Sequence, residues 1–148
     1  MRRGRADSER LLVYRNGSGY RELRVDEVNA RFKELTDSEC SVKDLRTWQG
    51  TVLAASAFGT AERLRSQRGR IRVRRAVFER VAEALGNTPT VARDSYIDPR
   101  VVEAFDRGAT IAAALRRADR IHDEEQRTEV VERAVIRLLR AANRAGRG

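Results

Sequence analysis

The run of residues 85–99 constrains the fold most, because it holds both prolines of the chain and a strong helix-stop signal. Gly86 is suited to end a helix, since glycine adopts the left-handed conformation without steric cost. Thr88 and Pro89 then predict the start of a short helix, because proline is favoured at the first helical position. Tyr96 closes that helix and Pro99 opens the next one. The run therefore predicts two helix junctions in close succession.

Helical periodicity dominates most of the remaining chain, because apolar residues recur three or four positions apart. Ser41 is the predicted N-cap of the second helix, and Gly59 is predicted to end it. Residues 60–70 are basic and polar, and we expect them to be exposed. The predicted helices cover residues 25–36, 42–58, 71–85, a helix from Pro99 that Gly108 ends, 109–120 and 124–144. The apolar positions predicted to face the core are 42, 45, 48, 52, 53 and 57, then 73, 77, 78, 81 and 85, and finally 130, 131, 135, 138 and 139.

The N-terminal part departs from this helical pattern. Residues 11–15 and 20–24 are short apolar runs around an Asn-Gly turn, which predicts a β-hairpin. Residues 1–10 form a flexible basic lead. The predicted architecture is mainly α with this one small β element. The helical tail, residues 108–148, either packs on the core as a helical hairpin or projects as an accessory arm.

The charge balance favours a polyanionic partner. Lys and Arg total 31 against 22 Asp and Glu, which gives a net charge of +9. Lys occurs only at Lys33 and Lys43, and the guanidinium of Arg suits phosphate because it offers a planar fork of donors. A high-GC genome would also favour Arg over Lys, but the net charge itself indicates a partner such as nucleic acid.

Several classes of protein are disfavoured by the composition. Cys40 is the single cysteine and His122 the single histidine, so an intrachain disulfide is excluded and a metal site is not expected. No stretch approaches the ~18 apolar residues of a membrane span. A secretory signal has an apolar run after its basic start, and this chain has none there. We therefore expect a cytoplasmic protein with access to DNA.

Three residues form a candidate site for chemistry on a phosphodiester. Tyr96 is a possible nucleophile, although a tyrosine hydroxyl needs cations that stabilise the charge of the transition state. Arg46 lies in the first turn of a predicted helix, and Asn87 lies in the turn before the short helix. Taken singly, Arg46 is also interpretable as solvent-facing, Asn87 as a turn residue and Tyr96 as a half-buried core residue. The combination, rather than any one residue, predicts the site.

The sequence around these residues resembles the bacterial, poxvirus-like type IB DNA topoisomerases. The similarity extends over residues 11–105 and is carried by residues 28–30, 43–55, 81–89 and 95–99. The resemblance implies the helical catalytic subdomain of the tyrosine recombinase and topoisomerase IB type. It implies that Tyr96 attacks DNA to form a 3′-phosphotyrosyl link, that Arg46 clamps the scissile phosphate, and that Asn87 assists. It implies neither a metal nor ATP, and hence no cofactor.

Further expectations follow from the resemblance. We expect Lys43, Thr47 and Arg93 to contact double-stranded DNA, and we expect a monomer associated with the nucleoid. Family enzymes also carry a second clamping Arg and a general-acid Lys upstream of the matched region. Lys33 and Lys43 do not fit the general-acid position. We therefore interpret residues 11–107 as the C-terminal part of a catalytic domain that relaxes supercoils poorly by itself.

Three other classes of function remain open from the sequence. A tyrosine recombinase or phage integrase shares this fold and chemistry, but its motif usually has His where this chain has Lys43. The residues that follow Arg46, Thr-Trp-Gln-Gly, favour the topoisomerase. A basic helical module that binds DNA without cleaving it is the second alternative. An RNA-associated protein is a weaker third, because aromatic platforms for base stacking are lacking.

Overall fold

The structure is a computed structural model that describes residues 13–17, 19–62 and 66–145. The predicted basic lead at residues 1–10 lies outside this range. The chain divides into two compact units, with the boundary between Asp44 and Leu45.

The first unit contains two short strands and one helix. Strands β1 (Val13–Asn16) and β2 (Gly19–Glu22) pair antiparallel, with Tyr14 opposite Arg21. Helix α1 spans Val25–Thr36, which confirms the predicted bounds. None of the residues of α1 is buried.

Helix α2 (Val42–Thr60) begins at the end of the first unit and continues into the second. Ser41 starts it as predicted, because its hydroxyl accepts from the Asp44 amide at 3.2 Å. The Asp44 carboxylate accepts in turn from the Ser41 amide at 2.8 Å, which completes a capping box. These bonds hold the pKa of Asp44 below its usual value.

The second unit is built of helices, and the prediction of a mainly α protein is confirmed. A π-helical segment, Ala92–Tyr96, continues the shortest α-helix and ends at the candidate nucleophile. After α2, the α-helices of this unit are α3 (Gln67–Leu85), α4 (Pro89–Val91), α5 (Pro99–Asp106), α6 (Ala112–Ala118) and α7 (Glu124–Ala145).

The buried face of α2 differs from the predicted one. Leu45 and Leu53 were expected to face the core, but they are 41% and 37% exposed. The buried positions are mostly small residues, which let neighbouring helices approach α2 closely. They are Gly50, Thr51, Ala54, Ala55, Ala57 and Phe58.

Two boundary predictions around the loop between α2 and α3 were wrong. Helix α3 begins at Gln67 and not at residue 71, because the Ser66 hydroxyl accepts from the Gly69 amide at 3.0 Å and caps it. Gly69 is buried, so residues 60–70 are not uniformly exposed. Gly59 does not end α2, which continues to Thr60.

Gly59 instead permits a close approach by α6. A Cβ at this position would lie 2.7 Å from the side chain of Leu115 and 3.3 Å from the backbone nitrogen of Ala112. Helix α6 is also shorter than the predicted 109–120. Glycine at this position therefore favours close packing and does not terminate the helix.

The inward face of α3 agrees with the prediction. Val77 and Val81 are buried, and Val73, Phe78 and Leu85 pack against them. Gly86 ends the helix with a φ of 66°, in the left-handed conformation that the sequence predicted.

The helical tail packs on the core, which is one of the two arrangements that the sequence left open. Ile111, Ala134 and Val135 belong to the same buried cluster as Val81. Phe58 of α2 stacks on Phe105 of α5 with ring centroids 4.5 Å apart. Helices α2, α3, α5, α6 and α7 thus share one core.

Shortening Val135 tests this shared core. Val135 is 0% exposed, so Val135→Ala should lower the free energy of unfolding by about 2 kcal/mol through lost packing. The measurement is urea unfolding followed by circular dichroism. Val91→Ala is the matched control, because Val91 is 40% exposed. Equal effects of the two variants would contradict the assignment of α7 to the core.

Candidate active site

The C-terminal end of α3 provides the acceptor around which the candidate site is arranged. After Gly86 turns, the Asn87 amide bonds back to the Ala82 carbonyl at 2.8 Å. A carbonyl in the last turn of a helix has no partner within the helix. The Leu85 carbonyl is such a group, and it accepts from Arg46 Nη2 at 2.8 Å and from Asn87 Nδ2 at 3.1 Å.

This shared acceptor brings together two of the three predicted catalytic residues. Arg46 and Asn87 lie 41 positions apart in the sequence, yet both donate to one oxygen. The negative end of the α3 dipole favours the guanidinium at this point. Both side chains are half-buried, which limits the number of conformations that they can adopt.

Tyr96 is the third predicted residue, and it lies against the same guanidinium. The Arg46 Cζ atom is 4.9 Å from the centroid of the Tyr96 ring, which is cation–π geometry. The Arg46 Nε atom is buried and has no hydrogen-bond partner among the described residues. A buried donor without an acceptor costs free energy, so such a group in a native structure calls for a reason.

One face of α2 holds the backbone on either side of Tyr96. The Thr47 hydroxyl donates to the Ser95 carbonyl over a long 3.4 Å. The Thr51 hydroxyl, 2% exposed, accepts from the Asp98 amide at 3.1 Å. These contacts fix the backbone just before and just after Tyr96.

Gly50 lies between these two threonines and makes the closest approach. A Cβ at Gly50 would lie only 2.3 Å from the Tyr96 carbonyl oxygen, a distance that real Cβ atoms do not reach. Glycine is therefore required for the Tyr96 backbone to rest on α2. The same α2 turn supplies the guanidinium that covers the Tyr96 ring.

The segment that carries Tyr96 is itself unusual. The prediction of a helix start at Thr88 is confirmed, since its hydroxyl accepts from the Val91 amide at 3.3 Å. The chain then widens into the π-helical segment and becomes extended at Ile97, which is buried. π-Helical turns are rare and occur frequently at functional sites.

Asp98 secures the junction after Tyr96. Its carboxylate caps α5 by accepting from the Arg100 amide at 3.0 Å, and it also pairs with the Arg100 side chain. That side-chain hydrogen bond holds the pKa of Asp98 below its usual value. Arg100 reaches on to Asn143 of α7 at 2.9 Å, so the junction is tied to the tail.

The three residues predicted to contact DNA have different surroundings in the structure. Thr47 lies at the site, where its hydroxyl meets the Ser95 carbonyl. Arg93 pairs with Asp94 at 2.6 Å, and this hydrogen bond lowers the pKa of Asp94. Lys43 is exposed and belongs to the first unit. Contact of these residues with DNA stays a prediction.

Sequence reasoning missed the residues that support the site. Gly50 and Thr51 were visible only as part of the motif that follows Arg46, and the Leu85 carbonyl is a backbone group. The predicted helix stop at Gly86 was the one signal that pointed to an unpaired carbonyl there. Trp48, assigned to the core, packs against it and donates from Nε1 to Glu132 at 2.9 Å.

Two searches for other kinds of site gave no candidate among the described residues. No three or more His, Cys, Asp or Glu side chains are grouped so that they could hold a metal ion. No described helix is both long enough and apolar enough to cross a membrane.

Comparisons with known proteins do not assign a family. No protein-family model matches the chain, and no curated protein matches it. The functional assignment therefore depends on the residues and their geometry.

Adding one methyl group at Gly50 tests the contact with Tyr96. Gly50→Ala should lower the free energy of unfolding by about 1–3 kcal/mol, because the new Cβ overlaps the Tyr96 carbonyl. In an open helix the same change would be stabilising. Thermal unfolding measures the effect, with Gln49→Ala at an exposed neighbouring position as the control. A stabilised Gly50→Ala variant would contradict the contact.

The Asp98 cap should make stability depend on pH. Because its pKa is lowered in the folded state, Asp98 stabilises the fold above its unfolded-state pKa. This contribution is lost as the pH falls through the folded-state value. Asp98→Ala should cost about 1 kcal/mol at pH 7, with a smaller difference from wild type near pH 3. Asp94→Ala is the control, since Asp94 pairs only at the surface. A difference that is constant with pH would refute the role of the Asp98 charge.

Proposed function

We propose that this chain carries out DNA strand transesterification through Tyr96, in the manner of a type IB topoisomerase. The observation that supports the proposal is the convergence of Arg46, Asn87 and Tyr96 at the end of α3. The sequence resemblance implies the same three residues, which lie in separate segments of the chain. A basic chain with a net charge of +9 suits a DNA substrate.

The reaction exchanges one phosphoester bond for another. The Tyr96 hydroxyl oxygen attacks the phosphorus of the scissile phosphodiester and loses its proton to solvent. The bond from phosphorus to the 5′-oxygen breaks, and that oxygen takes up a proton. A 3′-phosphotyrosyl ester results, and the reverse attack by the 5′-hydroxyl reseals the strand. The number of phosphoester bonds is unchanged, so no external energy source is required.

Arg46 is the proposed clamp on the scissile phosphate. A guanidinium has five N–H donors, and one of those on Arg46 is used by the Leu85 carbonyl. The other N–H donors of Arg46 are proposed to hold phosphate oxygens beside Tyr96. Donors already held in place stabilise the charge that develops on the non-bridging oxygens.

Asn87 is proposed to assist at the same phosphate. Its Nδ2 group has two N–H donors, and the bond to the Leu85 carbonyl uses one of them. The second donor is available to a phosphate oxygen held by Arg46. An amide hydrogen bond is weaker than that of a guanidinium, so Asn87 should contribute less than Arg46.

The general acid for the leaving oxygen is not assigned to a residue of this chain. Lys33 and Lys43 are its only lysines, and the resemblance places neither at the general-acid position. His122 is exposed. A test of Tyr96 therefore needs a substrate whose leaving group requires no proton.

A DNA duplex with a 5′-bridging phosphorothiolate provides such a substrate, because a thiolate leaves without protonation. The sequence on both sides of the modified bond is randomised, since the cleavage preference is unknown. The scissile strand is labelled at its 5′ end, so that attack by Tyr96 yields a labelled protein adduct on a denaturing gel. We expect an adduct with the wild type and none with Tyr96→Phe.

Variants at the site and elsewhere show whether adduct formation depends on Tyr96 and Arg46 specifically. Tyr14→Phe and Tyr20→Phe are matched controls, as these are the other two tyrosines. Arg46→Ala should slow adduct formation by about 10²–10³-fold, the loss typical of one transition-state donor. Arg72→Ala removes one exposed charge elsewhere and should leave the rate unchanged. An adduct that persists in Tyr96→Phe, or none with wild type, would overturn the proposal.

A further inference from the structure

The C-terminal half of α7 and the adjoining α6 carry a concentration of positive charge that the site around Tyr96 does not use. No Asp or Glu occurs after Glu132 in the sequence. Beyond that residue α7 carries Arg133, Arg137, Arg140 and Arg144, whereas its first turn holds Glu124 and Glu125. The helix is therefore acidic at one end and basic at the other.

The four arginines of α7 share one face of the helix. At 3.6 residues per turn, their positions fall within an arc of roughly 60° and extend for about 16 Å along the axis. The opposite face is apolar and supplies Val135 to the core. All four side chains are exposed, so their charges lie in a single row on the surface.

Most of these charges are not neutralised by neighbouring acids. Arg133 pairs with Glu129 of the same helix. In contrast, the ion pairs and hydrogen bonds found within residues 13–17, 19–62 and 66–145 include no side-chain partner for Arg137, Arg140 or Arg144. Exposed arginines elsewhere often have such a partner, as Arg75 has in Glu79 and Arg107 in Glu103.

Helix α6 adds a further cation beside this row. Arg117 of α6 and Arg137 of α7 line the same groove, whose floor is formed by Ile111, Ala114 and Leu138. Arg117 is exposed and, like Arg137, has no acidic partner among the described side chains. We call Arg117, Arg137, Arg140 and Arg144 the arginine ridge.

We propose that the arginine ridge binds the phosphate backbone of double-stranded DNA, as a surface additional to the site around Tyr96. Each guanidinium offers a fork of donors that fits two phosphate oxygens. The three ridge arginines on α7 form a row of about 10 Å with no acidic residue, which suits a polymer of regularly spaced charges. Such contacts position DNA without selecting a base sequence.

The inference shares the DNA partner of the proposed function but not its chemistry. The ridge residues take no part in the attack by Tyr96. Binding is therefore measured in a Tyr96→Phe background, in which no covalent adduct through Tyr96 forms. If the ridge variant binds DNA normally, the adduct assay with the phosphorothiolate duplex still tests Tyr96. If no adduct forms in that assay, the binding measurement still tests the ridge.

The test compares two triple variants of the full chain that lose the same charge. The first is Arg137→Gln/Arg140→Gln/Arg144→Gln, on the ridge. The second is Arg68→Gln/Arg72→Gln/Arg80→Gln on α3, where the arginines are equally exposed and likewise without an acidic partner among the described residues. Both variants change helical positions, so circular dichroism establishes that each remains folded.

Fluorescence anisotropy with a labelled blunt 30-base-pair duplex of arbitrary sequence gives the affinity at several salt concentrations. The ridge variant should bind roughly 10–100-fold more weakly near 0.1 M salt, because three phosphate contacts are lost. Its slope of log K against log salt should fall by about 3. The α3 variant should change both quantities much less.

Three outcomes would overturn the proposal. Equal losses in the two triple variants would mean that only net charge matters. Unchanged DNA binding by the ridge variant would show that the arginine ridge does not contact DNA. Tighter ridge-dependent binding to a duplex RNA of the same sequence would assign the ridge to RNA.

Discussion

The contact between Gly50 and the Tyr96 carbonyl is the constraint on which the candidate site depends. A Cβ at Gly50 would come within 2.3 Å of that oxygen, so only glycine lets the chain lie this close to α2. Thr47 and Thr51 hold the backbone on each side through Ser95 and Asp98. The position of the tyrosine is thus set by α2.

The same helix also supplies the charge. Arg46 precedes Thr47 and reaches both the Tyr96 ring and the Leu85 carbonyl. The helix that fixes the tyrosine backbone therefore places the guanidinium over its ring. The motif from Arg46 to Thr51 has a physical explanation in these contacts.

Sequence patterns predicted where helices begin and end better than which side of a helix is buried. The stop at Gly86 and the start at Thr88 were predicted correctly, because both follow from local backbone chemistry. Leu45 and Leu53 were predicted to face the core because they are apolar and helically spaced, and that prediction was wrong. The buried face of α2 is made largely of small residues, whose role is to let another helix approach.

The supporting contacts of the site could not be read from the sequence for a related reason. Gly50 and Tyr96 are 46 positions apart, and nothing local to Gly50 indicates which backbone it touches. The Leu85 carbonyl is likewise a backbone group that the sequence does not distinguish. The three candidate residues were predicted from the family resemblance and from residue chemistry, but the acceptor that Arg46 and Asn87 share became apparent only in the fold.

The most direct test of the account follows the Arg46 Nε–H signal by nuclear magnetic resonance during a titration with inorganic phosphate. We expect the Arg46 guanidinium to bind an anion beside Tyr96, and its Nε–H signal reports that binding. The Arg46 signal should shift and saturate, whereas that of Arg75, which is paired with Glu79, should change little. An unmoved Arg46 signal, or equal shifts of all arginine signals, would contradict it.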